Sequence, residues 1–491
     1  MCGFLTILKT PTSAGGTSPA AFAVRGEALL DRLKHRGPAE RGVWSSDLAW
    51  LGHRRLAIMA PGDGHQPLID GRSAWVSNSE IYTADALMAE HHVKPVCASD
   101  SRCIGPTLRA HGADGFAMLD GQFAIVHIDV ETGHWIAGRD HMGICPMYLG
   151  RHTSGTWWFA SEMKALVDDC EHVALVEPGT AWVCDDKGPS LIRWYVPAWK
   201  TTLPSQRADP GAIRELFSDA VGKRIISDAP WGVLRSGGLD SSIIASVSAR
   251  LHRERTGKAI RTFSIGLDDS SDLVRAREVA HHIGSEHTEF RFTIAEAIAA
   301  LPTVAAHLES DQQVRTGVPT FLLGQRVRDA GYKMVLSGEG ADEVFGGYLY
   351  FHKAPSPAEF HAETVRKTTR LHQYDVMRAN KAPMASGVEL RFPLLDRALI
   401  DHAMSLDPRE RATPGSAASW GTPASGSPPT WTRVWQGMEK ALLREAFREG
   451  GWLPESILFR QKEQFSDGVG YGWVDALQDL AKAEVTDDEL A

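Results

Sequence analysis

Residues 236–242 read Ser236-Gly237-Gly238-Leu239-Asp240-Ser241-Ser242 and lie between the apolar run Trp231-Gly232-Val233-Leu234 and a helical stretch over 243–251. A strand, a glycine turn and a helix start in that order form a pyrophosphate cradle. Small residues let backbone N–H groups and hydroxyls approach phosphate oxygens at the positive end of the helix. Asp240 adds a carboxylate that can hold a divalent cation. No Gly-Lys-Ser/Thr ending follows, so the loop is not a P-loop, and its spacing is not that of a dinucleotide fingerprint. A second reactive group opens the chain: Met1-Cys2-Gly3. Removal of the methionine leaves the Cys2 thiol beside its own α-amine, which puts a nucleophile and a base in one residue. An N-terminal cysteine alone is usually incidental, so its surroundings must decide.

These groups need two different frameworks. Up to about residue 200, short apolar or alternating runs at 3–8, 50–58, 74–82, 123–128, 135–138 and 157–160 read as strands, with helical patterns at 21–34 and 102–110. That predicts an α+β domain of layered sheets. Composition turns to Pro, Ser and Asp around 201–210, and from 210 onward strands at 231–234, 262–267 and 334–336 alternate with helical patterns. Alternation predicts an α/β domain with a parallel sheet, whose nucleotide site lies at the carboxyl ends of the strands. Residues 412–430, rich in Pro, Gly, Ser, Ala and Thr, read as a flexible insertion or a lid.

With 491 residues the chain can bury the cores of two domains, and its net charge of −9 gives no case for a nucleic-acid or membrane partner. No apolar stretch approaches the roughly 20 residues that span a bilayer, which makes the cytoplasm the expected compartment. The cysteines, all within the first two fifths, lack framework spacing and are expected to be reduced core residues.

The loop at 236–242 resembles that of ATP pyrophosphatases. Cys2-Gly3, His35-Arg36-Gly37-Pro38, His53-Arg54-Arg55-Leu56, Asn78-Ser79-Glu80-Ile81-Tyr82, Ser99-Asp100 and Arg139-Asp140-His141-Met142-Gly143 resemble the glutaminase domain of class II, Ntn-type amidotransferases. Together with Ser337-Gly338-Glu339-Gly340-Ala341-Asp342-Glu343 and the run from Arg460 to Gly468, the chain resembles the glutamine-hydrolysing asparagine synthetases over nearly its whole length. The resemblance implies a glutaminase domain over 2–200 and a synthetase domain of the ATP-pyrophosphatase type, with added helices, over 210–491. It implies that Cys2 attacks the amide of a glutamine-type donor and that ammonia travels through an internal tunnel to a carboxylate adenylated by ATP with Mg²⁺. Arg55 would pair with the donor α-carboxylate, Asp100 and Glu80 would hold its ammonium, and Asn78 would contribute to the oxyanion hole beside Ser79. Leu234, Ser236, Gly237, Gly238, Ser241, Ser242, Ile265, Ser337, Gly338 and Lys462 fall at ATP or pyrophosphate positions. Asp240 and Asp342 are the implied metal ligands, Glu339 and Lys440 the implied catalytic pair, and two copies are expected to form a homodimer.

Two segments depart from the family pattern. Ser79 replaces a glycine whose backbone N–H lies close to the oxyanion, and a serine there is expected to crowd the donor pocket. Glu309-Ser310-Asp311-Gln312-Gln313-Val314-Arg315-Thr316 lacks the family's threonines and leaves Arg315 as the candidate acceptor clamp. The leading expectation is an amidotransferase acting on a specialised carboxylic acid, with aspartate as the strong competitor. A glutamyl hydroxamate donor, its extra oxygen contacting the Ser79 hydroxyl, and a catalytically impaired binding relative are further readings. A β-lactam-forming synthetase has no need of Cys2, Arg55 and Asp100.

Overall fold

The computed structural model describes residues 1–11, 17–415, 420, 429–463 and 468–484. The chain divides into two compact units, the first comprising 1–196, 227–230 and 384–389, the second the remainder. The first carries strands β1 (Gly3–Leu8), β2 (Glu40–Ser45), β3 (Ala49–Arg55), β4 (Leu68–Asp70), β5 (Ser73–Ile81), β6 (Gly121–Asp129), β7 (Trp135–Arg139), β8 (Tyr148–Arg151), β9 (Trp157–Ala160), β10 (His172–Leu175), β11 (Thr180–Asp185) and β12 (Gly188–Arg193). They form two six-stranded sheets, ordered β10-β8-β9-β1-β3-β2 and β12-β11-β7-β6-β5-β4.

Alternation along each strand decides what each face meets. Leu5 and Ile7 of β1 pack with Trp50 under Leu29, Leu30 and Leu33, which belong to the helix Ala23–Asp31 and the turn after it. Trp75, Phe123 and Ile125 of the other sheet pack under Leu87 and Leu108, from the helices Ala84–His91 and Ile104–His111. Between the sheets, Trp135 meets Trp157 and Phe159 at ring distances of 5.7 and 5.6 Å. The first unit is thus a sandwich of two sheets with a helical layer outside each.

The second unit holds β13 (Trp231–Leu234), β14 (Arg261–Gly266), β15 (Glu286–Arg291), β16 (Met334–Leu336) and all but the first residue of β17 (Glu389–Arg391), ordered β15-β14-β13-β16-β17. The pairings of β13 with β14 and β16, and of β14 with β15, are parallel. The helix Pro210–Arg224 starts where Asp209 accepts from the Gly211 N–H at 2.8 Å, with Pro210 in the first turn. After β13 the chain turns at Gly237, at φ 71°, where a Cβ would lie 2.6 Å from that of Arg275, and enters the helix Leu239–Thr256. The glycine is therefore required twice, by its backbone angle and by its close neighbour.

Most of the 412–430 segment lies outside the described residues, as do 464–467 of the motif that follows Arg460. Within that segment Ala412 and Thr413 are buried, and the Trp420 ring donates to the Ala354 carbonyl at 3.2 Å. All the cysteines are buried and unbridged. Among the described residues no helix is long and apolar enough to cross a membrane.

Candidate functional site

In the first unit Cys2 immediately precedes β1, and its backbone nitrogen donates to Asn78 Oδ1 at 2.7 Å. Asn78 lies within β5, fully buried, and its Nδ2 meets no acceptor among the described residues. An amide donor so placed beside the nucleophile suits an oxyanion. The Arg36 side chain, also fully buried, donates to the Cys2 carbonyl at 3.0 Å and to Glu162 at 2.9 Å. Burial would raise the Glu162 carboxyl, but His35, Arg36 and Lys164 around it hold it well below the usual carboxylate range. The Met1 ammonium is ion-paired with Glu389 and the residue is buried, so a nucleophilic Cys2 amine requires removal of Met1.

Arg55 ends β3 with a guanidinium 5% exposed, and Glu40 stands directly opposite it on β2. Asp100 accepts from the Ile81 N–H at 2.7 Å and from the Ser99 hydroxyl at 3.0 Å, and Glu80 is buried near the end of β5. Ser79 corrects the expected crowding. By strand alternation its side chain shares a face with Trp75, Ser77 and Ile81, opposite to that of Asn78 and Glu80. Its hydroxyl bonds to Ser77 at 2.9 Å and Ser101 at 3.3 Å, so it is not directed toward a donor held at Asn78. Its backbone is not among those with positive φ, so glycine's freedom is not needed there. Nearby His53, buried, bonds to the Ser77 carbonyl at 3.1 Å, and burial pushes its ring down to about 3.

In the second unit a cavity of about 470 Å³ opens at the carboxyl ends of β13 and β16. Leu234, Ser236, Gly238, Asp240, Ser241, Ile265, Ser337, Gly338, Glu339, Asp342, Lys440 and Lys462 all line it. Gly237 and Ser242 do not: the glycine makes the turn, and Ser242 is buried on the helix behind the cradle. Gly238 caps that helix without a side-chain bond, which leaves helix N–H groups for an anion. Lys440 Nζ lies 2.7 Å from Asp240 and 2.8 Å from Asp342, while Lys462 reaches the other Asp342 oxygen at 2.5 Å. Burial would raise the Asp342 carboxyl, but these two ammonium groups drive it far below its ordinary range. Two carboxylates converging on one cation are the hard oxygen donors that Mg²⁺ takes.

Arg315 is not in the cavity wall, which corrects its reading as acceptor clamp: the adjoining Gln313 and Thr316 line the cavity instead. The wall also contains Tyr348, Lys367, Asp375 and Arg378, which the motifs did not single out. Arg378 bonds to Glu339 at 3.2 Å, to Asp375 of its own helix at 3.3 Å and to Thr320 at 3.2 Å, and so ties three segments together at one point. No spacing pattern marks these residues in the sequence; their helices, Pro357–Arg370 and Asp375–Met384, bring them in. Arg235, just before the cradle, is 2% exposed, and none of its three guanidinium nitrogens meets a protein acceptor among the described residues. Burial lowers it to about 9.

A layered domain that opens on Cys2, joined in one chain to a parallel-sheet domain with a glycine turn and a cavity at its strand ends, is the architecture of an ATP-dependent amidotransferase. The glutamine amidotransferase domain model matches residues 1–180, and the asparagine synthase model matches 212–359 and 353–491. The chain is 43% identical to the glutamine-hydrolysing asparagine synthetase of Asparagus officinalis, covering 99% of this chain and 80% of that one. It is also 43% identical to glutamine-hydrolysing asparagine synthetase 3 of Arabidopsis thaliana and 2 of Oryza sativa subsp. japonica, covering 100% of this chain and 83% and 81% of theirs. The chain belongs to the family of glutamine-hydrolysing asparagine synthetases.

Proposed function

We propose that this chain converts aspartate to asparagine, using glutamine as nitrogen donor and ATP with Mg²⁺ as the source of activation. The observation that carries the acceptor is that the cavity lining holds two cationic side chains, Lys367 and Arg378, and the carboxylate of Asp375. An amino acid with two carboxylates and one ammonium complements that set. The same observation weakens the specialised-acid reading, which rested on the missing threonines and on Arg315.

In the first unit Cys2 attacks the glutamine amide carbon, aided by its own amine. Asn78 Nδ2 stabilises the oxyanion, the amine passes the thiol proton to the departing nitrogen, ammonia leaves as the thioester forms, and water then hydrolyses the thioester to glutamate and frees Cys2. In the second unit the side-chain carboxylate of aspartate attacks the α-phosphorus of ATP, forming the acyl–AMP bond and releasing pyrophosphate. Asp240 and Asp342 would hold Mg²⁺, which supplies charge neutralisation of the phosphates. Lys440 and Lys462 lie where they can share the charge developing on the leaving pyrophosphate. Ammonia then attacks the acyl carbon, AMP departs, and Glu339, held by Arg378, takes the surplus proton. The protein is proposed to work in the cytoplasm as a homodimer, which light scattering of the purified chain tests.

The deciding experiment supplies ATP, Mg²⁺, glutamine and one carboxylic acid at a time, and measures pyrophosphate, AMP and amide. Asparagine formed in equal amount to pyrophosphate is the expected result. Pyrophosphate release that ignores aspartate and requires another acid overturns the proposal.

A further inference from the structure

The first unit carries, at its donor site, a carboxylate of its own. The pairing of β2 with β3 sets Glu40 directly opposite Arg55, and both Glu40 oxygens lie 3.0 Å from Arg55 Nη1. The other terminal nitrogen, Nη2, donates to the carbonyls of Met59 at 2.9 Å and Ala60 at 2.7 Å. Both ends of the fork are therefore engaged, in a site where the guanidinium is 5% exposed. A donor α-carboxylate that approaches Nη1 meets another carboxylate already bound there. Two carboxylates cannot share that face without repulsion that a nearly dry site does little to screen.

Glu40 is not fixed as Arg55 is. It is 24% exposed, and its Oε2 also lies 2.7 Å from Nδ1 of His65, a residue 69% exposed. The same carboxylate thus touches a buried cation on one side and a solvent-facing imidazole on the other. Rotation toward His65 would open Nη1 while leaving Glu40 a partner at the rim.

We propose that Glu40 is a latch on the carboxylate clamp of the donor site: it occupies Arg55 when no donor is bound, and the glutamine α-carboxylate must displace it toward His65. The inference rests on the reading of Arg55 as that clamp. Its consequence is specific: glutamine binds weakly for the chemistry that Cys2 then performs, and free ammonia competes well as nitrogen source. Glu40 acts through Arg55 on binding and not on the reacting atoms, so it belongs in KM and not in kcat.

The test is steady-state glutamate release from glutamine by three variants of the full chain, with ammonia-driven amide formation by each preparation as the measure of folding. Glu40→Gln removes the competing charge, and the expected result is a fall in KM of about tenfold with kcat within about twofold. Glu40→Ala, which removes the competing carboxylate altogether, should lower KM by a similar factor. Arg55→Met should raise KM by about tenfold or more. If Arg55→Met raises KM but neither of the other two moves it in the stated direction, the latch is wrong and the clamp stands. If Arg55→Met leaves KM unchanged, the clamp reading fails and the latch with it. Should Glu40→Gln fail to fold, the direction of the Glu40→Ala shift decides.

Discussion

Around the nucleophile of the first unit the buried charges are answered from within the fold: Arg36 by Glu162, Arg55 by Glu40 and backbone carbonyls. In the cavity of the second unit the charges are instead gathered. Asp240, Asp342, Lys440 and Lys462 crowd one wall, Glu339, Asp375 and Arg378 another, and the cradle leaves its helix N–H groups uncapped. The contrast follows from the ligands. A thiol and an amide carbon need little more than a positioned oxyanion donor, whereas a triphosphate brings several negative charges that solvent must surrender. A site for the first can close its own hydrogen bonds; a site for the second must keep cations beside carboxylates that they exchange for the substrate.

Substitutions at the two centres should separate them most sharply. Cys2→Ala is expected to lower glutamine-driven amide formation by about 10³-fold or more while ammonia-driven formation persists. Lys440→Met is expected to lower both by about 10²-fold or more, because it removes a cation from the wall proposed to take the phosphates, which both nitrogen sources would share. An ammonia-driven rate lost with Cys2→Ala, or kept with Lys440→Met, would break the division of labour.

Proton linkage should distinguish the units next. His53 stays neutral in the fold down to about 3, whereas an unfolded histidine takes its proton near 6.5. Its contribution is therefore full above pH 6.5 and is lost as pH falls toward 3, by about 4–5 kcal/mol. Asp272, a cavity residue of the second unit, runs the other way. Burial outweighs Arg460 and raises its carboxyl to about 7, so its contribution is present below pH 3.8 and declines as pH rises through 7. Unfolding by denaturant across this range should show His53→Gln flattening the acid limb and Asp272→Asn flattening the decline toward neutrality. The reverse assignment would show that the burial of these groups is not what moves them.

The smallest effect belongs to Ser79. Because its hydroxyl is spent on Ser77 and Ser101, Ser79→Gly should change the KM for glutamine by less than about threefold and cost about 1 kcal/mol of stability. A glutamyl hydroxamate should gain no preference over glutamine in the parent chain. A gain lost on that substitution would return the hydroxyl to the donor pocket.

What the sequence disclosed followed the strength of local pattern. Strands at 3–8, 157–160, 231–234 and 334–336 have the bounds their apolar runs predict, since buried strands are apolar throughout. The strand Glu286–Arg291, written Glu-His-Thr-Glu-Phe-Arg, gives no such signal because it is an edge strand with half-exposed faces. Motif residues on the cradle and in the turn after β16 were legible because their types and spacing form a continuous local pattern. Lys367, Asp375 and Arg378 were not, since a charged residue on a helix looks like any solvated one until packing turns it inward. The likeness at Ser79 misled for a related reason: period 2 along β5 sends its side chain to the far face, and the motif does not state which face matters.

Arg235 has a consequence for heat tolerance. Holding a guanidinium at 2% exposure with none of its nitrogens on a protein acceptor among the described residues costs free energy. An apolar side chain of similar length carries no such penalty, and Arg235→Leu is expected to raise the melting temperature, by about 1–2 kcal/mol of added stability. Differential scanning calorimetry with and without ATP would show whether the gain is confined to the empty enzyme. The parent chain would then be one that tolerates a lower melting point for the sake of a charge beside its nucleotide.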